Sequence, residues 1–64
     1  MVKIAISGIC GHMGRNVFAA VSERAECEVL CGIDIGDASA YTVPVYKAPA
    51  EMPEKPDVYM SSQL

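Results

Sequence analysis

The chain has 64 residues, enough for one small domain and too few for most two-domain enzymes. Hydrophobic residues make up 52% and charged residues 20%, the composition of a core-building protein, although a chain this short buries only about 60% of its unfolded surface. The net charge of −3 falls wholly after Ile33, where Asp34, Asp37, Glu51, Glu54 and Asp57 outnumber Lys47 and Lys55, so no basic stripe is available for a nucleic-acid backbone.

No apolar run approaches the roughly 18 residues of a membrane span, and the N-terminus reads as a strand rather than a secretory leader. The three cysteines, Cys10, Cys27 and Cys31, are odd in number and lack the dense spacing of a disulfide framework. They point to a reducing compartment, and the chain is expected to be cytoplasmic.

In chain order, Val2 to Ile6 is a nearly continuous run of β-branched and small apolar residues stopped by Ser7-Gly8, the pattern of a strand buried on both faces of a parallel sheet. Met13 to about Glu23 is an amphipathic helix, with Met13, Val17, Ala20 and Val21 on its apolar stripe. Val29-Leu30-Cys31-Gly32-Ile33 is a second buried strand. Strand, helix and strand within about thirty residues make a βαβ unit.

After Asp34 the periodicity fails, and Pro44, Pro49, Pro53 and Pro56 forbid a long helix or a central strand. Thr42 to Tyr46 is expected as a short edge strand, Ala50-Glu51-Met52 as at most one helical turn, and Asp57 to Met60 as the start of a third parallel strand. The fold class is therefore α/β, the N-terminal βαβ portion of a Rossmann-type parallel sheet. One helix for two or three strands leaves it incomplete, with one sheet face and two strand edges expected to be uncovered.

Between the first strand and the helix lies Gly8-Ile9-Cys10-Gly11-His12-Met13-Gly14. At such a junction glycine allows the tight turn and lets backbone approach a pyrophosphate, while the helix N-terminus offers free N–H groups and partial positive charge. The spacing G-x-x-G-x-x-G departs from the commoner G-x-G-x-x-G, and a glycine triplet alone also fits any tight strand-to-helix turn. Its context adds Asp34, 26 positions after Gly8 at the end of the second strand, where a carboxylate accepts hydrogen bonds from adenosine ribose hydroxyls. Together these features predict dinucleotide binding. A carboxylate there favours a free 2′-hydroxyl over a 2′-phosphate and is followed by Ile35 rather than a cation. NADH is expected over NADPH, a preference that His12 and Arg15 nearby could soften. Asp34 also fits a plain turn with Gly36 and Asp37.

Val2 to Arg15, with its G-x-x-G-x-M-G-R signature, resembles the N-terminus of the 4-hydroxy-tetrahydrodipicolinate (dihydrodipicolinate) reductase family of lysine and diaminopimelate biosynthesis. The resemblance continues through Val29 to Asp34 and Pro44-Val45-Tyr46 to Asp57-Val58. It implies that Gly8, Ile9, Cys10, Gly11, His12 and Met13 form the pyrophosphate loop and that Asp34 contacts the ribose. It further implies hydride transfer from NADH or NADPH to a cyclic dicarboxylate, in a homo-oligomeric enzyme. The histidine pair, the lysine and the Gly-Thr segments that carry the family's catalysis are not in this sequence, so residues 1–64 are read as a partial dinucleotide-binding domain without its catalytic and substrate domain, and inactive alone. Two departures stand out. His12 replaces the family's usual arginine, and Ser61-Ser62-Gln63-Leu64 replaces the acidic and aromatic end of its third strand.

Other readings of the same residues remain. A βαβ module of another dehydrogenase, of semialdehyde or homoserine type, or a truncated product that does not fold would share the glycine loop. Cys10, His12, Cys27 and Cys31 could in number ligate zinc, but they lack C-x-x-C spacing. Cys10 as a nucleophile would need a lowered pKa and a base within reach.

Overall fold

In the computed structural model, which describes residues 1–61, four parallel strands form one sheet in the order β3-β2-β1-β4. The elements run β1 (Val2–Ser7), α1 (His12–Ser22), β2 (Cys27–Ile33), β3 (Val45–Tyr46), a 3-10 turn (Pro49–Glu51) and β4 (Val58–Ser61). The chain winds outward from β1 through β2 to β3 and then returns to the other side of β1. That change of direction marks the switch point of a doubly wound sheet, which falls at the C-terminal end of β1.

α1 packs on one face. Ile4 and Ile6 of β1 share a core with Ile9 of the glycine loop and Val21 of α1, joined by the partly buried Val17, Phe18, Cys27 and Val29. The inward stripe of α1 is therefore Gly14, Val17, Phe18 and Val21. This corrects the expected stripe, since Met13 is 48% exposed and Ala20 also faces solvent. Gly14 faces inward instead because the helix sits so close to the loop that no side chain would fit between them.

The register of β1 on β2 shifts between Ile4 and Ala5: Ile4 lies opposite Val29, whereas Ala5 lies opposite Cys31. Leu30 is the extra residue of a bulge. Val29 consequently faces α1 while Cys31 faces the other side, and simple alternation along β2 breaks.

The far face is not left bare as expected. The segment from β3 to β4 crosses it, and the Cys31 thiol meets the Met52 thioether at 3.3 Å. Ala5 is fully buried and Cys31 nearly so. A cleft of about 210 Å³ remains beneath this crossing, lined by Leu30, Cys31, Pro44, Tyr46, Met52, Pro53 and Glu54.

The edge strands are short for identifiable reasons. Gly32 N–H donates to the Pro44 carbonyl and Asp34 N–H to the Tyr46 carbonyl, both at 2.9 Å, but Pro44 has no N–H to extend the ladder. On the other edge Asp57 fixes where β4 begins. Its carboxylate accepts the Lys3 N–H at 2.9 Å and its own N–H donates to the Lys3 carbonyl at 2.8 Å. Val58, Tyr59 and Met60 of β4 stay exposed, and the end of the expected third strand beyond Ser61 lies outside the described residues. Among the described residues, no helix is long and apolar enough to cross a membrane.

Candidate functional site

The loop between β1 and α1 sits at the switch point. Gly8 takes φ 73°, a conformation that L side chains rarely adopt, and its N–H donates to the Ile33 carbonyl at 2.7 Å, tying the loop to the end of β2. Gly11 N–H returns to the Gly8 carbonyl at 3.1 Å, closing the turn before α1.

Gly11 and Gly14 serve different ends. A Cβ on Gly14 would lie 2.2 Å from the Gly8 carbonyl oxygen and 2.6 Å from Ile9 Cα, so the fold itself demands glycine there. A Cβ on Gly11 would meet only the Gly8 oxygen at 3.6 Å, an ordinary contact, in an extended conformation open to any residue.

Gly11 is the N-cap of α1 and provides no side-chain cap. The N–H groups of His12, Met13 and Gly14 in the first turn thus have no intrahelical acceptor. His12 and Met13 are exposed at this end, next to the partial positive charge of the helix dipole. No acidic residue stands in the first turn to oppose an anion.

Ile9 and Cys10 belong to the fold more than to an open loop. The Ile9 side chain is fully buried and lies where a Cβ on Gly32 would approach it to 2.6 Å, so Gly32 in β2 clears its seat. The Ile9 carbonyl accepts a hydrogen bond from the Tyr41 hydroxyl. Cys10 is half-buried, and its N–H donates to Asp34 Oδ2 at 3.0 Å.

Asp34 is half-buried just past β2. Its Oδ1 accepts the Gly36 N–H at 2.8 Å, so the turn reading of Asp34 and its place at the loop both hold in one side chain. These N–H donors, Gly36 first and Cys10 next, hold the carboxyl below the usual carboxylate range. It is anionic at neutral pH and acts only as a hydrogen-bond acceptor. Asp37 forms a similar turn with the Ser39 N–H, which lowers its pKa too.

Burial pushes the Cys10 thiol up, and the carboxylates of Asp34 and Asp37 push it further, outweighing Arg15. The thiol is therefore protonated at neutral pH and unsuited to nucleophilic attack. Among the described residues, no three histidine, cysteine or acidic side chains gather as a metal site.

The structure thus brings Gly8, Ile9, Cys10, Gly11, His12, Met13 and Asp34 to one end of the sheet. Sequence reasoning missed Tyr41. Tyr41 lies 32 residues from Ile9, in a loop with no motif to mark it. Its ring stands edge-on to Phe18 of α1, with centroids 5.1 Å apart and planes at 63°. Arg15, Phe18, Ala40, Tyr41 and Thr42 line an open cleft of about 460 Å³ on the flank of α1, beside the glycine loop rather than on it.

A parallel sheet wound in two directions from β1, with a glycine turn and an open helix N-terminus at the switch, defines the opening part of a Rossmann-type α/β domain. The family model described as dihydrodipicolinate reductase, N-terminus, matches residues 2–61, and the chain belongs to that family. It is 39% identical over 62 residues to a 4-hydroxy-tetrahydrodipicolinate reductase of Methanoculleus marisnigri, a match covering 91% of this chain and 25% of that protein. The chain thus spans about a quarter of the length of this curated relative. No solved structure matches it.

Proposed function

We propose that this chain is the dinucleotide-binding segment of an NAD(P)H-dependent reductase acting, as its relative's name states, as a 4-hydroxy-tetrahydrodipicolinate reductase in lysine and diaminopimelate biosynthesis. The observation that carries the reading is the joint placement of the uncapped α1 N-terminus and the Asp34 carboxylate on either side of one glycine loop. Gly11 adds to it, because the fold has no steric need for glycine there whereas a pyrophosphate approaching the backbone does.

The residues fit the cofactor. Gly11, His12 and Met13 would hold the pyrophosphate at the helix N-terminus, with Gly8 shaping the turn and Ile9 and Cys10 anchoring it. Asp34 would accept the adenosine ribose hydroxyls. A bound nicotinamide supplies hydride, while this chain's residues bind and orient the adenosine half. His12, at the site where the family usually carries arginine, contributes less cationic charge toward phosphate.

Because Asp34 is held as an anion, a 2′-phosphate beside it is opposed and NADH is the preferred cofactor. Substrate binding and catalysis belong to a further domain of the whole enzyme, which by family likeness is homo-oligomeric. The three thiols are unpaired, in keeping with a reducing cytoplasm.

Separate calorimetric titrations of the chain with NADH and NADPH test this proposal. NADH is expected to bind more tightly. Equal or tighter NADPH binding overturns the preference, and binding of neither overturns the reading.

A further inference from the structure

We propose that Tyr41 is a positioning residue for the cofactor loop: with Asp34 it grips opposite ends of the single Ile9–Cys10 peptide plane and so fixes the loop's orientation. The inference rests on the dinucleotide reading and adds to it a residue that no motif marks.

A trans peptide carries its carbonyl and N–H in opposite directions, and among the described residues every peptide bond is trans. The Ile9 carbonyl accepts the Tyr41 hydroxyl, and the Cys10 N–H of the same plane donates to Asp34 Oδ2 at 3.0 Å. A plane held at one end can swing; one held at both ends turns only by breaking both bonds. The loop needs such a restraint because it is flanked by Gly8 and Gly11, whose backbones are the most permissive available. Turning the plane over would set the Ile9 carbonyl against the Asp34 carboxylate, repelling the group that is to receive the ribose.

Both grips are themselves fixed. The Tyr41 ring rests edge-on against Phe18, and Tyr41 N–H donates to the Ala38 carbonyl at 3.0 Å, closing a turn in its own loop. Asp34 is locked by the Gly36 N–H at 2.8 Å. Ile9, fully buried, cannot turn its carbonyl to water in exchange. Helix α1, the loop after β2 and the cofactor loop therefore meet at one peptide plane.

The test uses the full chain and its Tyr41→Phe variant, which keeps the ring against Phe18 and removes only the hydroxyl. Two quantities are read: the Cys10 amide proton by NMR without ligand, and the NADH dissociation constant. In Tyr41→Phe the Cys10 amide resonance is expected to move upfield and exchange faster, and NADH to bind roughly tenfold more weakly, ~1.4 kcal/mol. Tyr46→Phe, whose hydroxyl belongs to another part of the fold, is expected to change neither. An unchanged Cys10 amide in Tyr41→Phe overturns the grip, and a moved amide with unchanged NADH affinity overturns the positioning role. If the parent chain binds no NADH, the cofactor reading fails and the role with it. The amide shift then reports separately on the peptide.

Discussion

Gly14 of α1 lies against Gly8 so closely that a β-carbon on Gly14 would come within 2.2 Å of the Gly8 carbonyl oxygen. Three residues earlier Gly11 has room for one. Gly14→Ala is therefore expected to cost ~3 kcal/mol or more, because the obstructing atoms are backbone and cannot rotate away. Gly11→Ala should cost ~0.5–1 kcal/mol, because alanine is a poorer N-cap than glycine, yet abolish NADH binding. Urea unfolding followed by circular dichroism, paired with NADH titration, separates the two. A Gly11→Ala chain that binds NADH normally would remove the main steric argument for the site.

Asp34 gives the site a pH dependence of definite sign. Unfolded, its carboxyl titrates near 3.8; folded, it titrates lower because the Gly36 and Cys10 N–H groups favour the anion. Its stabilisation is complete above the unfolded value and disappears as pH falls through the folded one. Amide resonances of Gly36 and Cys10, followed from pH 7 downward, should move together with a midpoint below 3.8. A midpoint above that value contradicts the hydrogen-bonded geometry.

Cys10 should be a slow thiol. With its pKa raised by burial and then by Asp34, it is expected to react with iodoacetamide at neutral pH more slowly than a free cysteine. Asp34→Asn should speed the reaction by removing one of the charges that disfavour thiolate. Mass spectrometry of partially alkylated chain locates the modified residue, and preferential labelling of Cys10 in the parent would refute the raised pKa.

At the start of β4, two neighbouring acids should differ in weight. Glu54 pairs with the Lys3 ammonium at 2.5 Å, but both side chains are near half exposed, so Glu54→Gln is expected to leave stability within experimental error of the parent. Asp57→Ala removes the acceptor of a backbone N–H that helps pin β4 to β1 and should cost ~1 kcal/mol. Chemical denaturation of both variants checks the order, and the reverse order would show that the ion pair holds this edge.

The βαβ unit was legible because its signals are local: a β-branched run, a glycine turn, and apolar residues at helical spacing. The edge strand and the single turn after it were legible from proline placement, although Pro44 trimmed the strand to Val45 and Tyr46. The inward face of α1 was half legible. Hydropathy favoured Met13, but the close approach at Gly14 rotates the stripe to include Phe18, and no hydropathy pattern encodes that approach. Asp34 was found by its distance from the glycines, whereas Tyr41 depends on how an irregular loop folds back, which spacing does not reveal. The covering of the far sheet face by Met52 was hidden for the same reason.

The bulge at Leu30 acts as a phase corrector between two parts of the sequence that never touch in the chain. Were Leu30 paired with Ala5 instead of bulged out, Gly32 would slip one place along β1 from its position opposite Ile6, where it clears the seat of Ile9. Asp34, two residues further on, would emerge on the opposite side of the sheet end from the loop it now holds. The distance from glycine loop to acid is thus set in space by a ladder and corrected in sequence by one. Deleting Leu30 would straighten the ladder and still leave Gly32 opposite Ile6, because the bulge already holds Leu30 out of the pairing.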